Sequence, residues 1–182
     1  LFLFAIVIVI RVFTLGTPDP VNHPDWSVME GLAFIWEPNF SMLGDAKIWL
    51  AAAGQIFFTL SIGMGTLSAY ASYLKEKDDI ALGAVSASFL NEFAEVILGA
   101  TIAIPVAVAF FGLTTTQEIA LGGAFNLGFV SMPIIFQNMP LGEIFGFLWF
   151  LMLFLAGITS SVAMAQPIIS FLEEQFGFSR NK

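Results

Sequence analysis

Three groups of residues in this sequence could do chemistry, and each interrupts a stretch otherwise too apolar to hold it. Thr59 and Ser61, with Gly63 and Gly65, break the run 48–74; Asn91, Glu92 and Glu95 break 80–113; Thr159, Ser160 and Ser161 break 144–175. Hydroxyl, amide and carbonyl oxygens are hard and uncharged. They suit a monovalent cation without the charge density that favours a divalent one. Asn91 and Glu95, four apart, share one face of a helix. A carboxylate at membrane depth costs about 2.5–3.5 kcal/mol even on insertion scales, so Glu95 reads as a functional group with a partner. Blander readings stand beside these. Asn91 could be hydrogen-bonding glue between helices, Glu95 a neutral acid buried against a neighbour, and the hydroxyls could satisfy themselves on the preceding turn. Gly63 and Gly65 fit close helix packing as well as a broken helix that presents carbonyls and helix ends to an ion.

Depth ties the three groups together. At about 1.5 Å per residue, Gly63 lies roughly 18 Å from Lys75, Asn91 roughly 18 Å from Asp79 and Thr159 roughly 21 Å from Glu173, all near the centre of a ~30 Å hydrocarbon core. Oxygen-bearing residues from three spans at one depth make a sodium-type site between helices the economical reading.

The elements that must carry these residues are membrane spans. Of 182 residues 58% are hydrophobic and 11% charged, 21 are Phe, and the mean hydropathy is +0.88. Soluble domains carry about 25% charged residues, so the composition argues against a water-soluble enzyme domain. Six basic and fourteen acidic residues give a net charge of −8, which excludes nucleic-acid binding. With no Cys there is no disulfide, thiolate nucleophile or Cys-based metal site. The expected order is the end of a span at 1–14, an aqueous loop at 15–47, a broken span at 48–74, a charged turn at 75–79, a span at 80–113, an outer loop at 114–143 and a span at 144–175. In the second loop Thr114 to Glu118 can start a short helix and Gly122-Gly123 can end it. The chain opens inside an apolar run with no basic leader, which suggests a piece of a longer protein.

Lys75, Lys77, Arg180 and Lys182 stand on one side against Arg11 and Lys47 on the other. The excess places the 75–79 turn and the C-terminus in the cytoplasm. Asn39-Phe40-Ser41 matches a glycosylation acceptor at a frequency expected by chance, and His23 is a lone loop histidine, expected to be solvated. A membrane-embedded enzyme using Glu92 and Glu95 as acid and base lacks any accompanying His, Cys or metal-ligand spacing, so no enzyme is expected.

The runs Gly54-Gln55-Ile56-Phe57-Phe58-Thr59-Leu60-Ser61-Ile62-Gly63-Met64-Gly65, Leu90-Asn91-Glu92 with Glu95, and Ala156-Gly157-Ile158-Thr159-Ser160-Ser161 resemble the neurotransmitter:sodium symporters in their bacterial amino-acid branch. The whole chain follows that pattern, from the end of the fifth helix through the eighth. The resemblance implies an all-α integral membrane protein, part of a twelve-helix inverted-repeat fold of the leucine-transporter type with a broken sixth helix.

It also implies roles. Thr59 and Asn91 would bind a first sodium; the Ala156 carbonyl with the Thr159 and Ser160 hydroxyls would bind a second. Each sodium site is only partly present in this stretch. Phe58, Ser61, Met64 and Met164 match substrate-pocket positions. Met64 replaces an aromatic ring of the family's type member but keeps the wall apolar, and no charge lines the recovered part of the pocket, so neutral, hydrophobic amino acids are expected. Glu95 stands where chloride-dependent animal relatives have a hydroxyl, and Gln55 matches another position around that chloride. Chloride independence follows, with Glu95 supplying the charge and taking up a proton on the return step. The implied activity is sodium-coupled symport by alternating access in the plasma membrane. The implied partners are a small neutral amino acid, sodium, the bilayer and the other helices of the same polypeptide. A non-transporting amino-acid receptor or scaffold of the same fold is the alternative.

Overall fold

The structure, a computed structural model, describes residues 1–177; Arg180 and Lys182 of the charge count lie outside the described residues. The chain is helical, with no strand among the described residues. Its helices are α1 (Phe2–Phe13), α2 (Val28–Trp36), α3 (Ala46–Thr59), α4 (Thr66–Ala71), α5 (Ile80–Glu92), α6 (Thr101–Leu121), α7 (Met132–Asn138) and α8 (Gly142–Phe176). Between α5 and α6 the backbone stays wound, but as a π-helix over Phe93–Ala100. The continuous run Ile80–Leu121 and the helix Gly142–Phe176 are long and apolar enough to cross a membrane, and α1 is a shorter apolar helix. Where the sequence reads as one membrane domain, the chain packs as two compact units: Leu1–Pro38 with Glu92–Leu155, and Asn39–Asn91 with the chain from Ala156 onward.

The first unit has the denser core. In α1 the buried residues are Ala5, Ile8 and Val12, the three-and-four spacing of a single helical stripe. They join Ile102 and Val106 of α6 and Met132 of α7 in one cluster. The loop 15–47 is more ordered than its polar, Pro-bearing composition suggests. Ser27 caps α2 by accepting a hydrogen bond from the Glu30 N–H at 3.1 Å, and Glu30 in the first turn complements the helix dipole. Glu37 leaves the helix in an extended conformation ahead of Pro38, as a residue preceding proline must. Gly31 lets α2 approach α6 so closely that a Cβ there would sit 2.5 Å from the Pro105 Cα.

The boundary expected at residue 113 falls beside a kink. Gly112 has φ 74° and ψ 166°, a conformation open in practice only to glycine, and helical winding continues beyond it to Leu121. Trp26 fills the space over that kink, and His23 stacks on Trp26 with ring centroids 3.7 Å apart. The link that follows is also wound rather than irregular, with a π-turn at Asn126–Ser131 leading into α7. Trp149, buried in α8, donates its indole N–H to the Gly128 carbonyl at 3.2 Å and packs near the Phe136 ring.

In the second unit, Asp45 caps α3 by accepting from the Lys47 N–H at 2.9 Å, and Asp79 accepts from the Leu82 N–H at 2.9 Å at the start of α5. Neither α3 nor α5 buries any residue. Their apolar side chains face outward, where lipid or further helices of a membrane protein would meet them. The charged turn closes on itself through the Lys75 N–H, which donates to Asp78 at 2.7 Å. Below the helix break, Gly65 meets Pro167 of α8, and the Tyr73 hydroxyl lies 3.4 Å from Gln166 Oε1 and 3.3 Å from the Ser170 hydroxyl.

Candidate functional site

The centre of the second unit is the break between α3 and α4. Ser61 at φ 55°, Gly63 at 86° and Gly65 at 78° all take left-handed conformations. The chain ends α3 with a pair of reversed bonds: the Ser61 N–H reaches the Phe58 carbonyl at 3.0 Å and the Ile62 N–H reaches the Phe57 carbonyl at 2.9 Å. This is the glycine-type helix stop, except that serine occupies the left-handed position at a cost of about 1–2 kcal/mol. Glycines at 63 and 65 flagged the break in the sequence; nothing marked Ser61 as the turning residue.

The break places Thr59 at the last position of α3, and Asn91 sits at the penultimate position of α5. Asn91 Nδ2 donates to the Thr59 hydroxyl at 2.9 Å, a half-buried contact across 32 positions. These are the two residues expected to hold the first sodium, and the structure brings them together. The bond engages the amide nitrogen, the atom of Asn91 that no cation can use. Its Oδ1 is the cation-seeking atom.

The second expected ion set lies within one turn of α8. The Thr159 hydroxyl donates to the Ala156 carbonyl at 2.8 Å, and the Ser161 hydroxyl donates to the Gly157 carbonyl at 2.8 Å. Ala156 and Thr159 thus present two oxygens side by side, as neighbouring ligands of one cation must be. Ser160 follows on the exposed surface of the same helix.

Among the described residues, no group of three or more His, Cys, Asp or Glu is arranged to hold a metal ion. By residue type both candidate sets are neutral oxygens, a donor chemistry that suits a monovalent cation. Phe58, Met64 and Met164, expected in the substrate pocket, are exposed in this unit, at 67%, 48% and 67%. Ser61, the fourth pocket position, is in the break itself.

The carboxylates at depth belong to the first unit. Glu95 lies in the π-wound segment, and Gln55, expected to share its role, lies in α3. One oxygen of Glu92 is buried with no hydrogen-bond partner among the described residues, a state costing about 1–3 kcal/mol for an acceptor of this kind.

An uncharacterized sodium-dependent transporter of Methanocaldococcus jannaschii is 31% identical over 182 residues, covering 100% of this chain and 35% of the relative. The uncharacterized sodium-dependent transporter YhdH of Bacillus subtilis is 33% identical over 171 residues, covering 93% and 34%. A sodium- and chloride-dependent betaine transporter of Caenorhabditis elegans is 28% identical over 151 residues, covering 82% and 25%. The chain spans about a third of the length of the first of these curated relatives. The profile of the Sodium:neurotransmitter symporter family matches residues 5–182, and with the helical fold and the broken span in place, the chain belongs to that family of membrane transporters.

Proposed function

We propose that the protein carrying this chain performs sodium-coupled symport of neutral, hydrophobic amino acids by alternating access across the plasma membrane, without chloride. The observation that carries the reading is the 2.9 Å bond from Asn91 to Thr59 at the end of a broken helix. It holds an amide and a hydroxyl together at the one place where the α3 backbone stops, so an ion bound there couples the broken helix to α5. Thr59 and Asn91 supply the first sodium site. Ala156, Thr159 and Ser160 supply the second, and helices outside this chain complete both. Phe58, Ser61, Met64 and Met164 line the substrate pocket; methionine gives its wall an apolar, adaptable surface. Glu95, with Gln55, provides the negative charge that a chloride ion would otherwise bring. The turn at 75–79 faces the cytoplasm.

The test is uptake of labelled leucine, tryptophan and methionine by the full-length protein in proteoliposomes, with an inward sodium gradient against potassium. Sodium-driven accumulation that Asn91→Ala abolishes is the expected result. Sodium-dependent binding without accumulation would show a receptor instead, and indifference to sodium would overturn the reading.

A further inference from the structure

The hydroxyl of Ser161 is left over when the ion ligands are assigned, yet it makes one of the shortest side-chain hydrogen bonds in α8. It donates to the Gly157 carbonyl at 2.8 Å, one residue beyond the carbonyl that Thr159 engages, also at 2.8 Å. Two successive carbonyls of one turn thus each receive a side-chain hydroxyl. Hydroxyls that bond back to the preceding turn draw carbonyls off the helix axis and loosen the helix there. The residue between the two carbonyls is Gly157, which has no side chain, and beyond its chain neighbours and the helix's own adjacent backbone nothing lies within 4 Å of where a Cβ would be. Among the described residues no side chain packs over Gly157, so beyond the helix's own backbone bonds the two hydroxyls are what holds these carbonyls from the side. When a cation takes the Thr159 oxygen and the Ala156 carbonyl, the bond between those two groups gives way to ligation. The Ser161 bond is then the remaining side-chain restraint on that turn.

We infer that Ser161 is a positioning residue for the second sodium site, acting through the Gly157 carbonyl to keep the turn opened so that the Ala156 carbonyl is aimed at the ion. It does not touch the ion. The inference rests on the assignment of Ala156, Thr159 and Ser160 to that site. It predicts a specific division of effects. Removing the hydroxyl should weaken sodium binding while leaving the ion-free protein as stable or more so, because alanine is a better helix former than serine.

The experiment is a sodium titration of thermal stability on the full-length protein in detergent, without substrate, for Ser161→Ala, Ser161→Thr and Thr159→Ala. Amide hydrogen exchange over 157–163 is recorded in parallel. Ser161→Ala should raise the half-saturating sodium concentration roughly tenfold, the low end of what losing a ligand-orienting partner costs a metal site. Its melting temperature in potassium should not fall, and exchange at 157–163 should slow less on adding sodium than in the parent. Ser161→Thr, which keeps the hydroxyl, should restore the parent's sodium response. If Thr159→Ala weakens the response and Ser161→Ala does not, the positioning role is wrong. If Ser161→Ala and Ser161→Thr weaken it equally, side-chain volume and not the hydrogen bond is responsible, and the role is again wrong. If none of the three alters it, the site assignment itself fails.

Discussion

The Asn91–Thr59 pair makes a quantitative commitment. Removing the donor with Asn91→Ala, the acceptor with Thr59→Val, and both together forms a double-mutant cycle around a single half-buried bond of 2.9 Å. In potassium, where no ligation contributes, a neutral bond of this kind is worth about 1 kcal/mol net, and the double variant should recover about that much coupling relative to the sum of the singles. In sodium a second term appears. At a concentration about 100 times the dissociation constant, binding stabilises the protein by about 2.7 kcal/mol; a tenfold weaker site keeps only about 1.4 kcal/mol, a loss of ~1.3 kcal/mol. Asn91→Ala should therefore cost about 2.3 kcal/mol in sodium and about 1 kcal/mol in potassium. The assay is thermal or chemical unfolding of the full-length protein in detergent at matched ionic strength. Additivity within about 0.3 kcal/mol in potassium would show that the bond does not form in solution. An Asn91→Ala variant with the parent's full sodium increment would remove Asn91 from the ion site.

Three further outcomes follow from other residues. Gly112→Ala puts a Cβ 2.6 Å from the Trp26 indole at a backbone conformation alanine does not adopt. Strain and overpacking together should destabilise the protein by about 3 kcal/mol in denaturant unfolding, and a loss under about 1 kcal/mol would mean that the kink is not formed. Glu95→Ser should make uptake respond to chloride, since the carboxylate's fixed charge is gone; unchanged indifference to chloride in a variant that still transports would take that role from Glu95. The Asp19 carboxyl is held below its ordinary value of 3.8, first by the Asn22 side-chain amide and then by the Asn22 N–H. A pKa depressed by folding means that the turn 19–22 is supported above 3.8 and loses that support as pH falls through the lower folded value. A carboxyl NMR titration of Asp19 should have its midpoint below 3.8, and Asn22→Ala should move it upward; a midpoint that does not move with Asn22→Ala would discount the amide.

Much of this architecture is legible in the residues, and the exceptions have physical causes. Apolar runs of sufficient length mark α8 and the run from α5 to α6 because a hydrocarbon core demands them. Gly63 and Gly65 mark the broken helix because positive φ is cheap only for glycine. Ser61 was legible as a hydroxyl in the break but not as its turning residue: serine rarely turns left-handed, and only the reversed bonds to Phe57 and Phe58 reveal that it does. The helix α2 was hidden among prolines, although Ser27 and Glu30 carry a capping pattern that could have found it. The π-winding of Phe93–Ala100 left no mark, since one extra residue per turn over eight positions is too short to shift an apolar periodicity. Within the candidate site, residue types suggested a ligand chemistry, but no spacing rule links Thr59 to Asn91. Their contact spans the broken helix, the charged turn and most of α5, and depends on tertiary packing.

The way the candidate ligands bond to one another bears on how such a site can release its ion. Asn91 donates to Thr59 and Thr159 donates to Ala156, so each candidate pair is joined by one hydrogen bond. A cage of carboxylates would leave repelling charges behind when emptied; these oxygens are neutral and partly satisfy each other. Such a bond between neutral groups is worth about 1 kcal/mol net, so a site built from them strands no charge when it empties. A carboxylate introduced at one of these positions, as in Asn91→Asp, would tip the balance. It should bind sodium more tightly in the unfolding assay yet slow turnover in the uptake assay, because the ion's departure would then strand a charge at membrane depth. Tighter binding with undiminished turnover would show that neutrality of the ligands is not what sets the release rate.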